Sequence, residues 1–344
     1  MSEPRLEVID RDEYRRWYSG HRAMLDHRSP FHEPAWMAAA SEGLGFTDVY
    51  IGVFDNDGMI GAVPGFMARR GPVRVFGSPL RGTMTSYLGP VVFDLPAGDE
   101  SLIDLSRHVG EFVRRRFKVV YARFTLRSTP AEGKPDLGPS WKQQRPGSYR
   151  LDLTGGEQAV WDSLKSDCRR NIRRALRDSI EVEALDDPHL FYGMLDRTLR
   201  RHGSTSFHSE RFFESLFGGL AAPEFRPLAA RFRGKLIAAG LFYSDDRELH
   251  YLSGASEREN GSLPTSYLLH WHALQLAMAD GVSVFNSDAS RVRSIDQFKE
   301  SFRPTLERRH TMISAPPSVY RAQKHLISGY RKLRSVRAKV SPGP

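Results

Sequence analysis

A single cysteine, Cys168, is all the thiol that the 344 residues carry, so the chain can form no internal disulfide. That scarcity fits a reducing compartment. Apolar runs are short: none approaches the roughly 18 to 20 residues of a helical membrane span. The opening MSEPRLEVIDRDEYRRW lacks an apolar h-region, so the expectation is no secretory signal and a cytoplasmic location. Walker loops and serine elbows are missing, and His202 and His208 have no partners at zinc spacing, so no metal site is expected. Acidic residues are missing too after Glu307, where nine lysines and arginines follow from Arg308 to Lys339. The net charge of +9 therefore resides in the tail, and the preceding body is neutral. A sequence-specific DNA-binding role is disfavoured, because the basic residues gather at one terminus and no recognition motif is present.

What remains is the composition of a globular protein, with 40% hydrophobic and 11% aromatic residues. The length suits two domains of about 150 residues each. The segment 128–147, rich in Pro, Gly and Lys, is the best linker. Domains are therefore expected at 1–147 and 148–316, with a basic helical tail at 317–344. The fold class is α/β (α+β), two mixed, mostly antiparallel sheets flanked by helices. In the first half, helices are expected near 13–25, 35–43 and 104–118. Strands are expected at 49–54, 59–67, 73–76, 88–93 and 119–126. The second half opens with a strand at 148–153 and helices near 157–178, 187–202 and 209–220.

The stretch from Arg226 to Arg303 organises the second half. Leu228 to Phe232, the turn Arg233-Gly234-Lys235, Leu236 to Tyr243, the turn Asp245-Asp246 and Glu248 to Gly254 read as an antiparallel meander. A polar loop, an apolar helix from Thr265 to Ala279, a strand from Val282 to Asn286 and the segment Gln297-Phe298-Lys299 follow. This order is accompanied by Gly240-Leu-Phe, Tyr251-Leu-Ser-Gly-Ala, Leu268-Leu-His-Trp-His and Phe298-Lys-Glu-Ser-Phe302. Upstream lie Arg169-Arg-Asn-Ile-Arg-Arg-Ala175 and Phe191-Tyr-Gly-Met-Leu. Together these resemble the second domain of the Fem-like branch of the GNAT acyltransferase superfamily, covering 161–309 well and the first half loosely. The resemblance implies two tandem GNAT-like domains. It also implies an enzyme that moves an aminoacyl group from aminoacyl-tRNA to an amine acceptor. An acyl-coenzyme A donor is the alternative within the class, and a non-catalytic binding scaffold the alternative outside it. Neither donor would be a permanently bound cofactor.

Candidate residues follow from both sources. On the helix WDSLKSDCRRNIRRALRD, residues Trp161, Leu164, Cys168, Ile172 and Leu176 recur at helical spacing and are assigned to the core. The arginines between them form either a solvated face or a phosphate contact; the resemblance favours phosphate for Arg169 and Arg173. By residue type alone, Lys299 is an exposed lysine beside two core aromatics. The resemblance instead makes the Phe298-Lys299 pair part of the site, with Lys299 steadying the charge of the transition state. A cation there is worth a few kcal/mol, about the size of one oxyanion donor. Arg258 and Gly261 partly match a pyrophosphate-binding loop, whereas Leu263 departs from it. Ser253 on the third strand joins them as a substrate-binding candidate. For proton transfer, Tyr251 and Asp288 are preferred among Tyr251, His250, His270, His272 and Asp288. Cys168 is read as buried and inert. The tail, with Leu326, Tyr330 and Leu333 on one side, is expected to reach tRNA or the inner face of an anionic membrane.

Overall fold

Short apolar runs punctuated by turn residues make this a chain of many strands. The structure, a computed structural model, describes residues 4–25, 27–93, 99–127, 137, 140–257, 263–290 and 292–316. The tail helix expected at 317–344, and with it the candidates Arg258 and Gly261, lie outside the described residues.

Two units divide the chain, one of residues 1–146 with 308–344, the other of residues 147–307. The first holds β1 (Arg5–Ile9), α1 (Arg11–His21), α2 (Pro34–Leu44), β2 (Thr47–Phe54), β3 (Met59–Arg70), β4 (Val73–Ser78), β5 (Val91–Val92), α3 (Asp99–Phe117), β6 (Val119–Thr125) and β7 (Trp141–Gln144). The second runs through β8 (Gly147–Asp152), α4 (Gly156–Ser163), α5 (Ser166–Arg177), β9 (Glu181–Ala184), α6 (Pro188–Arg201) and α7 (Glu210–Gly219). It continues with β10 (Phe225–Phe232), β11 (Lys235–Ser244), β12 (Glu248–Ser256), α8 (Thr265–Ala279), β13 (Val284–Asp288) and α9 (Arg293–Glu300). The chain passes β14 (Thr305–Arg308) and re-enters the first sheet as β15 (Thr311–Ser314).

The two sheets repeat one plan. Their orders are β1-β2-β3-β4-β6-β15-β7 and β9-β10-β11-β12-β13-β8-β14 written in the matching direction, with β5 an appendage of β3. Each has an antiparallel meander, then one parallel step (β4 to β6, β12 to β13), then antiparallel strands. The plan is that of two tandem GNAT-like modules of mixed α/β structure.

This topology corrects the expected boundaries. Residues 311–314 pair with β6 and β7, so the chain leaves the second unit at 307 rather than at 316. The stretch read as a linker contains β7, which pairs with β15. Neither pairing partner is near in sequence, so local composition carried no sign of it. The single helix expected at 157–178 is two helices. Leu164 and Lys165 are extended (ψ 148° and 151°), and the Lys165 N–H donates to Ser301 O instead of continuing the helix. The break rotates α5, so Cys168, Ile172 and Ala175 are buried while Leu176 is 57% exposed. Phe298 and Lys299 sit on α9, a helix that the sequence reading did not assign.

The core of the second unit joins Leu164, Cys168 and Ile172 to Phe242, Leu268, Trp271, Phe285 and Phe302. Helix α8 is apolar on nearly every side and is correspondingly buried. The β10–β11 hairpin turns through Arg233 and Gly234, both at positive φ (51° and 75°), as a two-residue type I′ loop demands.

Candidate functional site

The parallel step is where the modules differ. In the first, β4 and β6 stay paired from Arg74↔Val119 to Ser78↔Phe124. In the second, β12 and β13 pair only from Glu248↔Val284 to His250↔Asn286, and beyond that β13 pairs with β8 alone. A β-bulge at the same level assists the parting. Phe242 opposes Tyr251 while Leu241 opposes Ser253, leaving Leu252 as the extra residue of β12. Bulges bend a strand and raise its twist. The strands therefore diverge just past His250, and a cleft of about 400 Å³ opens there.

The bulge decides which β12 side chains share a face. Because one residue is inserted, Tyr251 and Gly254 lie on the same side, whereas Ser253 is paired to Leu241 on the other. The Tyr251 ring lies along the strand with its hydroxyl over Gly254. A Cβ at 254 would come 2.3 Å from Tyr251 Oη. Gly254 has ordinary backbone angles, so the glycine serves the tyrosine rather than a turn. Around this pair the cleft is walled by Gly240 on β11, Ser266, Tyr267 and His270 on α8, and Ile295, Phe298 and Lys299 on α9.

Lys299 reaches in from the last turn of α9, and its ammonium donates to Asp288 O at the end of β13. It stands 5.7 Å from the Tyr251 ring centroid. Burial lowers its pKa, opposed by the charges of Asp288 and Asp296. Burial alone pushes the Tyr251 phenol up to about 12, so it is a hydroxyl donor at neutral pH. His270 is 4% exposed and enclosed by the rings of Tyr251 (4.5 Å), Phe298 (4.9 Å) and Phe242 (5.4 Å). Its Nδ1 lies 2.9 Å from Ser266 O, which makes Nδ1 the donor and leaves Nε2 with its lone pair. That Nε2 is buried with no hydrogen-bond partner. Burial, with the charge of Lys299, takes the imidazole down to about 3, so it is neutral. One cation and one phenol thus face a single apolar-walled space, beside a neutral, buried imidazole.

Other candidates lie elsewhere. The Arg169 guanidinium donates from Nη1 to Leu164 O (2.6 Å), Asp162 O (2.8 Å) and Trp161 O (3.4 Å), capping the C-terminus of α4. Arg173 is exposed and stacks over Trp161 at 5.3 Å. Neither lines the cleft, and neither does Ser253. Asp288 is exposed and meets Lys299 through its backbone carbonyl. His250 is buried against Glu248 (3.2 Å), itself bonded to Arg150 (3.2 Å), and does not line the cleft. The structure therefore brings together Tyr251, Phe298 and Lys299. It also places there His270, one of the less preferred proton-transfer candidates, and Gly254, which residue type alone could not single out.

Residues 163–300 match the family model described as acetyltransferase (GNAT) domain. The second unit is thus of the GNAT acyltransferase superfamily. No curated protein matches the chain by sequence. Among solved structures, that of FemX is similar over 89% of this chain and 96% of that one, at 10% identity and a TM-score of 0.65. A tandem GNAT protein from the clavulanic acid biosynthesis pathway matches over 92% and 99%, at 12% identity and a TM-score of 0.57. The C-terminal domain of a putative lysylphosphatidylglycerol synthetase from Agrobacterium fabrum matches over 92% and 96%, at 15% identity and a TM-score of 0.55. At these identities the likeness is one of fold. No helix among the described residues is long and apolar enough to cross a membrane.

Proposed function

We propose that the chain is an N-acyltransferase that forms an amide bond, moving an aminoacyl group from aminoacyl-tRNA onto an amine acceptor in the cleft of the second unit. The observation that carries this reading is the meeting of the Lys299 ammonium and the Tyr251 phenol where β12 and β13 part. In the reaction the amine nitrogen attacks the ester carbonyl, and the new C–N bond forms as negative charge gathers on the carbonyl oxygen. Lys299 faces that charge, which is the interaction that lowers the barrier. The ester C–O bond then breaks, and the departing ribose oxygen takes a proton from Tyr251. The ammonium formed by attack returns a proton to the tyrosinate. His270 is too weakly basic to accept that proton and packs against Tyr251 and Phe298 as a neutral ring. The ring walls hold the reactants and exclude water.

An acyl-coenzyme A donor is the second reading. The first turn of α8 lines the cleft through Ser266 and Tyr267, with no side-chain cap on its N-terminus. Its backbone N–H groups suit a pyrophosphate. In the thioester case a C–S bond breaks and the thiolate takes the proton. The test offers the purified full chain charged tRNA and acetyl-coenzyme A, each with a panel of primary amines. Transfer from either donor that falls at least 100-fold in Lys299→Ala supports the acyltransferase, and the donor used decides between the readings. Binding of a donor without turnover would replace both with the binding scaffold.

A further inference from the structure

The first unit carries a cluster of positive charge that the cleft chemistry does not use. Arg69 on β3 and Arg74 on β4 are directly opposed in the antiparallel register. Like charges in that position destabilise a sheet. Arg116, near the C-terminus of α3, and Lys118, just after it, complete the cluster. All four line an open depression of about 440 Å³, and Arg69 and Arg74 also line a neighbouring one of about 510 Å³. No acidic residue lines either depression, and among the described residues none of the four makes an ion pair. Arg74 Nη1 donates to Phe117 O at 3.2 Å, and Arg116 stacks on Phe117 at 5.7 Å. The C-terminal pole of α3 thus supplies about half a negative charge, far less than the cluster needs.

We infer that this groove is a docking site for the phosphodiester backbone of a nucleic acid, bound by charge and without base readout. Three of the four cations are arginines, whose planar forks suit phosphate oxygens. Two adjoining depressions sharing a pair of arginines fit a chain of phosphates better than a single inorganic ion. A bilayer is disfavoured because the surface is concave and none of the large exposed apolar side chains belongs to its lining. The inference concerns the first unit and holds whichever donor the second unit takes.

The test uses the full chain and a fluorescein-labelled oligouridylate, read by fluorescence anisotropy. Each phosphate contact on a single strand contributes about 0.7 to the slope of log affinity against log salt. Four contacts predict about a 50-fold loss of affinity between about 50 and 200 mM salt. Arg69→Gln with Arg74→Gln should lower that slope by about 1.4, and Arg211→Gln, an exposed arginine elsewhere, should leave it unchanged. An unchanged slope in the double variant, or an equal fall in Arg211→Gln, overturns the inference. So does groove-dependent binding to phosphatidylcholine–phosphatidylglycerol vesicles without groove-dependent binding of RNA. Turnover by the second unit enters none of these readings, so failure of the acyltransferase assignment is separable.

Discussion

Replacing Gly254 by alanine should damage the cleft through a residue it leaves in place. A Cβ at 254 would lie 2.3 Å from Tyr251 Oη, with Ala239 O and Tyr251 Cζ both at 3.2 Å. Ordinary carbon contacts begin near 3.5 Å, so the overlap with the hydroxyl is more than 1 Å. The backbone of β12 is held by pairing to β11, which makes the tyrosine ring the part that moves. Overpacking of this kind costs about 1 to 3 kcal/mol. In a Tyr251→Phe background the nearest atom is gone and only the 3.2 Å contacts remain, so the same substitution should cost about 1 kcal/mol less. Urea unfolding of the wild type, both single variants and the double variant gives this coupling directly. Turnover should fall in Gly254→Ala about as far as in Tyr251→Phe, since both remove the hydroxyl from over residue 254. Equal destabilisation by Gly254→Ala in the two backgrounds would refute the steric account.

Three further outcomes follow from the geometry. Lys299→Met should stabilise the fold at neutral pH while abolishing transfer, because burial disfavours the ammonium it removes. With its folded pKa below the unfolded 10.5, the folded chain binds fewer protons between the two values. Wild-type stability should therefore gain from this group as pH rises through that window, and the Met variant should lack the gain in thermal melts. Arg169→Ala should cost about 1 to 2 kcal/mol by uncapping α4 and leave donor affinity unchanged; a selective loss of donor binding would return it to the site. Acid sensitivity should come from His32 and His270, held down to about 4 and about 3 by burial against an unfolded 6.5. The unfolded chain binds more protons across those windows, so stability falls as pH falls below 6.5, by about 1.4 kcal/mol per unit for each residue. His270→Phe should flatten that slope in denaturant titrations, and an unaltered slope would show that His270 is not held neutral.

The meander from Phe225 to Ser256 was legible because every signal in it is local. Its hairpin turn has a Gly at positive φ, its strands are short apolar runs, and each partner is the next segment along. β7 and β15 were not, because their pairing joins residues 141–144 to 311–314 across a whole intervening unit. The same distinction runs through the site. Phe298 and Lys299 could be nominated by resemblance, yet neither α9 nor the Lys299–Asp288 carbonyl contact is written in their spacing. Arg169 had the right type for a phosphate contact, but the break at Leu164–Lys165 presented it first with the carbonyls that end α4. The same geometry explains why one of two similar modules holds the cleft. A parallel step that stays paired through Ser78↔Phe124 leaves no opening between its strands. One that stops at His250↔Asn286, beside a bulge, does. Absorbing Leu252 in a bulge keeps Tyr251 and Gly254 on one face although they are three residues apart, so the feature that parts the strands also keeps the phenol over the glycine. Removing it would leave Tyr251 and Gly254 two residues apart and still on one face, but it would abolish the bulge, and the straightened strand should narrow the gap without touching any residue that lines it.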